Sequence, residues 1–430
     1  MRRFGCFLFS ICAMISLMIK YISASPFISS AAVMLGGVTM AQLLGLALSP
    51  IITRLYSPED LGLLAFYVAL ISMLAVLATG QYQHAIMLQK KESAARQLTY
   101  ISLGLSVIFT TFFAVVVGCF YSDINAALGS KALGGSLWLV PFGTLSASVF
   151  AALSMWFTWQ KQFKQISVNH IGMSTMNNGT AIGLGALQLS GAGVIIGHFV
   201  GQASAALYFL ILFFKSPRQG VSHLKIRALL RRYKKFPCLT LPHSLFSTGA
   251  THLPSLILLG AFSPAVAGLY FLANRAANVP LTILSQSLYP IMFGAFNESQ
   301  NRRVLFRRKF ISVNALFMPL FIVFWFIAPS LFAFVFGAEW GRSGLYVQFI
   351  LPMLYGKLIS NLFTTPIYFI YERQSENFLF SVCITLSIAL ALLYGARHDD
   401  IAQGLILMSL SNVFFILIKL YRAYCFVKAA

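Results

Sequence analysis

The chain has 430 residues, 58% of them hydrophobic and only 10% charged, with a mean hydropathy of +0.80. Soluble globular proteins carry roughly a quarter charged residues, so one large water-soluble core is excluded and many membrane-spanning helices are expected. Thirty-one Lys and Arg against ten Asp and Glu give a formal charge of +21, an excess that points to the basic loops of a membrane topology before it points to nucleic acid.

The chain opens with "MRRFGCFLFSICAMISLMIKYISASP", a basic start followed by an apolar stretch and small residues, the pattern of a signal peptide. Cleavage, or a thirteenth span here, would invert every loop that follows. Residues 1–24 are therefore read as an interfacial or re-entrant extension, or as preceding a true start at Met14 or Met18. Apolar runs of about 20 residues, the length that crosses a bilayer, then recur twelve times. They lie near 27–50, 61–88, 98–120, 132–157, 167–188, 191–214, 239–260, 265–292, 310–336, 345–370, 377–395 and 401–424.

Loop charge sets the orientation. With the start of the first span inside, 25 of the 31 cations fall on the inner turns and termini and four, Arg54, Lys131, Arg342 and Arg397, on the other side. Basic residues gather on cytoplasmic loops, so both termini are expected in the cytoplasm and the net charge needs no nucleic acid. The longest hydrophilic connector, "KSPRQGVSHLKIRALLRRYKK", places Ile226, Leu229, Leu230 and Tyr233 on one helical face with Arg and Lys around the rest. That pattern fits a helix lying on an anionic inner leaflet, and equally a solvated basic linker.

The sequence also repeats. "SPEDLGLL" from Ser57 and "SPAVAGLY" from Ser263 share S-P-x-x-x-G-L at an offset of 206, each opening an even-numbered span from the outer side. Ser suits the N-cap and Pro the first helical position. The expected architecture is an all-α polytopic membrane protein of about 12 transmembrane helices in two pseudo-symmetric, parallel six-helix bundles. The first lobe covers 25–214 and the second 238–430, joined by a basic cytoplasmic linker, 215–237. Small residues at four-residue spacing, Gly37, Ala41, Gly45 and Ser49 in the first span and Gly193, Gly197 and Gly201 in the sixth, are read as helix packing.

Two cations remain inside spans. Counting from Ser263, Arg275 lies about 18 Å into its helix at 1.5 Å per residue, close to the middle of a hydrocarbon core about 30 Å thick. Lys357 sits at a comparable depth, about 21 Å from the inner-side Tyr371. An arginine there costs roughly 3 kcal/mol on insertion scales and should face a bundle interior or a water-filled space. All ten carboxylates fall at loops or span ends. The missing counter-charge is either a transported anion or the carbonyls of helix ends. Asn274 and Asn278 flank Arg275 and offer neutral hydrogen bonds. "LPHSLFSTGATHLP" gathers His243, Ser247, Thr248, Thr251 and His252 between two prolines, a broken polar helix that must meet protein or water. His252 is either a group titrating near neutrality or a hydrogen-bonded structural histidine; Arg54 is either a cavity-mouth cation or an interface anchor. The six cysteines form no CxxC pair, and no GxxxxGK, HExxH or GxSxG segment occurs, so no metal, cofactor or catalytic motif is indicated.

"ITRLYSPEDLGLLAFYVAL" followed by "QYQHAIMLQKKESAARQL", and later "FPCLTLPHSLFSTGATHLPSLILLGAFSPAVAGLYFLANRAANVPLTIL", resemble the two halves of Wzx-type lipid-linked oligosaccharide flippases. These belong to the multidrug/oligosaccharidyl-lipid/polysaccharide exporter superfamily. The resemblance implies a non-enzymatic protein of the bacterial inner membrane. It would move an undecaprenyl-diphosphate-linked glycan, an O-antigen or related unit of lipopolysaccharide or other surface polysaccharide, between leaflets. Its expected partners are that glycan, anionic lipids at the basic loops and other polysaccharide-assembly membrane proteins. Family members often carry an acid where this chain has Gln83. Two alternatives stand beside this reading. A multidrug exporter of the same superfamily should have a midplane carboxylate, and a membrane-embedded polysaccharide polymerase or ligase should have substantial outer loops with catalytic groups.

Overall fold

The computed structural model describes residues 26–128, 133–188, 190–216, 226–299 and 301–429; the expectation for residues 1–24 lies outside them. Among the described residues the secondary structure is helical throughout. The first bundle is built from α1 (Pro26–Leu55), α2 (Pro58–Ala78), α3 (Glu92–Cys119), the short α4 (Tyr121–Leu128), α5 (Leu139–Trp159), α6 (Phe163–Ala186) and α7 (Ser190–Lys215). A seven-residue helix, α8 (Ile226–Arg232), leads to the second bundle: α9 (Leu241–Ala261), α10 (Pro264–Glu298), α11 (Arg302–Phe336), α12 (Gly341–Ile359), α13 (Thr365–Ile370), α14 (Gln374–Arg397) and α15 (Ile401–Ala429). The packing repeats from one bundle to the other. Helix α6 lies against α1 and α7, as α14 lies against α9 and α15; α5 lies against α2, α3 and α7, as α12 lies against α10, α11 and α15. The two halves are pseudo-symmetric, and the chain is a multi-pass membrane protein.

Among the described residues, nine helices are long and apolar enough to cross a membrane, against twelve apolar runs in the sequence. The other three runs form α6, α9 and the α12–α13 pair, all packed within the bundles. The reason is chemical. Helix α6 carries Asn169, His170, Ser174, Asn177 and Asn178, and α9 carries His243, Ser247, Thr251 and His252. The tenth run is broken by a wide π turn over Ser360–Thr364, after α12 has already taken in Arg342, Gln348 and Lys357. The second run also ends early. Helix α2 stops at Ala78, and Gly80 and Gln81, both with positive φ (52° and 60°), turn the chain into a 3-10 segment, Tyr82–Leu88.

The connector helix α8 differs from the lipid-facing expectation. Leu229 is buried among Trp156, Phe163 and Phe213 of the first bundle, with Leu230 and Tyr233 packed beside it. Tyr233 Oη accepts a hydrogen bond from Gln89 Nε2 at 2.7 Å, and of these four residues Ile226 alone is exposed. The apolar face is thus spent on protein. Glycine spacing in α7 does bring backbones together, since a Cβ on Gly197 would press on Ala181 N and Asn177 O.

Buried apolar residues form two separate clusters. One, made of α3, α5, α6, α7 and Leu229, belongs to the first bundle at the end bearing α8. The other begins with Ile52, Tyr56, Leu61, Leu64 and Tyr67 at the opposite end of that bundle and continues without a break into Leu269, Tyr270, Trp340 and the core of the second. The two lobes therefore share a hydrophobic core at one end, where α2 and α10 begin.

Candidate functional site

Helix α10 starts with Ser263, whose hydroxyl caps Val266 N, and Pro264 at its first position. It then runs 35 residues to Glu298 with Pro280 and Pro290 inside it. Arg275 is half-buried a third of the way along. Its guanidinium leaves its own lobe, and Nη2 donates to the Gly45 carbonyl of α1 across a long 3.4 Å. Glycine at that point leaves room for the guanidinium, since a Cβ on residue 45 would stand 3.0 Å from Nη2 and press it outward. A guanidinium has five N–H donors; this single contact leaves most of them without a protein acceptor among the described residues.

The opposing wall is neutral and polar. Ser174 Oγ donates to Ala41 O at 2.8 Å, and Asn178 Nδ2 donates to Ser174 O at 2.6 Å. Both side chains lie within 4 Å of the space a residue-45 Cβ would occupy, beside the guanidinium. His198 on α7 is within electrostatic reach of Arg275. Its ring meets Tyr67 edge-on at 5.9 Å, and its buried Nδ1 has no hydrogen-bond partner. Among the described residues, then, the cation stands beside a serine and an asparagine, with an imidazole packed on a phenol farther off, and no carboxylate. The ten acids all sit at helix ends or turns, where Asp60 caps α2, Glu92 pairs with Arg96 at 3.1 Å and Glu376 with Arg422 at 2.9 Å.

The other expected residues divide. Asn274 and Asn278 lie beside Arg275 but bond to each other, Nδ2 to Oδ1 at 3.1 Å, one helical turn apart. Lys357 stands in the last turn of α12, half-buried, just before the π turn in which the Ser360 and Thr364 hydroxyls meet at 2.7 Å. It makes no ion pair or hydrogen bond among the described residues. No contact joins Lys357 to the Arg275 group. His252 is half-buried on α9 and makes no hydrogen bond among the described residues. Arg54 is exposed in the last turn of α1, where the negative end of the helix dipole favours a cation. Neither residue is brought to Arg275 by any contact. Two apolar grooves of about 310 and 230 Å³, the first lined by Leu77, Leu105 and Phe112 and the second by Phe321, Trp325 and Tyr355, contain none of the interior cations.

At the α8 end, Gln81 rather than Gln83 joins the lobes. Its Oε1 accepts from Ser244 Oγ of α9 at 3.0 Å and also meets His84 Nε2 at 3.0 Å. Burial pushes the His84 imidazole below its ordinary pKa. Gln83 is buried, with its Oε1 unpartnered.

Residues 51–344 match the family described as Polysaccharide biosynthesis protein. The chain belongs to that family. Matches among solved structures agree on the fold. Lipid II flippase MurJ in an inward closed conformation aligns with a TM-score of 0.73 at 14% identity, covering 90% of this chain and 86% of that one. An inward-facing multidrug resistance MATE family transporter of the MOP superfamily aligns at 0.64 and 14%, covering 93% and 98%. A MOP superfamily transporter from Pyrococcus furiosus, described as having a binding pocket of reverse polarity, aligns at 0.61 and 13%, covering 92% and 96%. No curated protein matches the sequence. At such identities the structures show a shared fold, and the family match shows membership of the polysaccharide biosynthesis protein family.

Four residues of this group, Tyr67, Ser174, Asn178 and His198, escaped the sequence reading, and Gly45 was read only as helix packing. His198 alone carried a signal, since an ionisable group inside a span is a functional candidate by default. The others acquire meaning only when α1, α2 and α6 converge on α10.

Proposed function

We propose that this protein is a flippase, not an enzyme. It would carry an undecaprenyl-diphosphate-linked oligosaccharide, an O-antigen or related surface-polysaccharide unit, across the bacterial inner membrane by alternating access through a cationic cleft between the lobes. The observation that carries the reading is Arg275, a guanidinium reaching across the lobes with one long hydrogen bond and no carboxylate among its neighbours. A bare charge cannot cross hydrocarbon, where desolvation costs tens of kcal/mol on Born arguments. A polar cleft with fixed donors lowers that barrier for a diphosphate while the prenyl chain stays in lipid. Arg275 contacts the diphosphate, Lys357 adds positive potential, and Asn274 and Asn278 exchange their mutual bond for oxygens of phosphate or sugar. Arg54 and His252 are placed at the margins of the path.

The 25-to-4 division of loop cations supports cytoplasmic termini and an inner-membrane location. Exposed Arg303, Arg307, Arg308 and Lys309, at the start of α11, have no ion-pair partner among the described residues and are assigned to anionic lipid headgroups. Other polysaccharide-assembly membrane proteins are proposed as neighbours. A multidrug exporter handling cations would be served by an interior carboxylate, and a polymerase or ligase by catalytic groups.

The test is complementation of a strain lacking its own surface-polysaccharide flippase. Wild type should restore surface glycan and Arg275→Ala should not, with both proteins present at equal levels in the membrane. Normal export by the alanine variant removes Arg275 from the mechanism. Failure of wild type across several such strains counts against the flippase reading itself.

A further inference from the structure

The two S-P-x-x-x-G-L segments, 206 residues apart in sequence, lie against each other. A Cβ on Gly62 would run into the Pro264 carbonyl, and one on Gly268 would run into the Pro58 carbonyl. The relation is reciprocal: the glycine of each copy rests on the proline of the other. Two helices that begin with proline and have glycine one turn later can cross backbone to backbone, and Cα–H groups then lie against carbonyl oxygens. Flanking side chains seal the contact, with Leu61, Ala267, Leu269 and Tyr270 all buried. A third link lies at the same end, where Trp340 Nε1 of the second lobe donates to Thr53 O of the first at 3.0 Å. The apolar core crosses between the lobes here and not at the α8 end, where the first lobe keeps a cluster of its own.

We propose that the paired S-P-x-x-x-G-L segments form a reciprocal clasp that shuts the inter-lobe cleft at the end opposite α8, and that this clasp must part for the cleft to open there. Gly62 and Gly268 set its depth of closure. Any side chain at either position holds the two helix starts apart while leaving each lobe's internal packing alone. The inference rests on the alternating-access reading above, because it requires the lobes to move. It does not depend on which passenger is carried.

The test uses the full chain with its six cysteines replaced and one reporter introduced, Ser174→Cys, beside Gly45 and Arg275. A membrane-impermeant maleimide is applied from the clasp side of the membrane. Gly62→Ala with Gly268→Ala should raise the labelling rate about tenfold, equivalent to about 1.4 kcal/mol in the open–closed balance. Each single variant should give a similar, smaller rise, because the two contacts are equivalent. Trp340→Phe, which removes a link without adding bulk, should shift the rate in the same direction and guards against a glycine variant that fails to fold. Gly197→Ala, a clash of the same kind within one lobe, should lower thermal stability and leave the rate unchanged. A folded double variant labelled at the wild-type rate overturns the clasp, as does an equal rise in Gly197→Ala. Faster labelling in a protein whose wild type rescues no flippase-deficient strain would keep the clasp and discard the passenger.

Discussion

Helices α2 and α10 open on the same S-P-x-x-x-G-L segment, yet twelve residues after the serine the first carries Ala69, fully buried, and the second carries Arg275. Beyond its first turn α2 has no charged residue, whereas α10 adds Asn274, Asn278 and two prolines. The symmetry of the fold therefore resides in the backbone contacts at the helix starts, and the chemistry resides in only one of the two copies. A second cation at position 69 would cost roughly 3 kcal/mol at mid-membrane, with tightly packed neighbours and no anion to offset it. The largest expected effect falls on this difference. Arg275→Ala should cost about 2–5 kcal/mol of contact with a desolvated diphosphate, a loss of at least about thirtyfold, read as absent surface glycan at normal protein level. Moving the charge, Ala69→Arg with Arg275→Ala, should not restore export, because position 69 is filled by packing. Rescue by that exchange would mean that the two copies are functionally equivalent.

Lys357 tests whether a second interior cation matters. Lys357→Met keeps the length of the side chain and removes the charge. With no ion pair or hydrogen bond to lose, the folded state should be undisturbed, and export should fall about tenfold through weaker long-range attraction, of order 1.4 kcal/mol. An unchanged export rate would confine the cationic function to α10.

How much of this was legible beforehand differs between fold and site. The twelve apolar runs fall on the twelve long helical segments among the described residues because apolar length is a one-dimensional property, and Ser57 and Ser263 mark their helix starts as N-caps. What hydropathy misread was local backbone geometry. The turn at Gly80 and Gln81 cuts short a run that stays apolar to Leu88, and the π turn at Ser360–Thr364 interrupts one that reads as continuous. The site was legible where its residues share one helix, as Asn274, Arg275 and Asn278 do. Its opposite wall was not, because Gly45, Ser174 and His198 come from three helices whose adjacency is tertiary. The meeting of the two repeats was likewise invisible: the motif announced a duplication, but not that the copies touch.

Smaller effects test how far the likeness of the copies extends. The residue before each serine is Tyr56 in one and Phe262 in the other. Tyr56 Oη donates to Ala181 O at 2.7 Å in the first lobe. Tyr56→Phe makes the copies alike at the cost of that one hydrogen bond, about 0.5–1.5 kcal/mol, because Ala181 O keeps its donor within α6. It should appear as a lower unfolding temperature in detergent with export retained.

The smallest difference lies in the caps themselves. Ser57 belongs to a capping box, its Oγ accepting from Asp60 N at 3.2 Å while Asp60 Oδ2 accepts from Ser57 N at 3.0 Å. Ser263 makes only the first of these bonds, because its partner position is Val266. Replacing a capping serine by alanine costs about 1 kcal/mol. Ser57→Ala should exceed Ser263→Ala by a few tenths of a kcal/mol, since the hydroxyl fixes Asp60 N and with it the backbone from which the Asp60 carboxylate reaches Ser57 N. Equal losses in thermal unfolding would show that the carboxylate holds the first turn without the serine, through its attraction to the positive end of the helix.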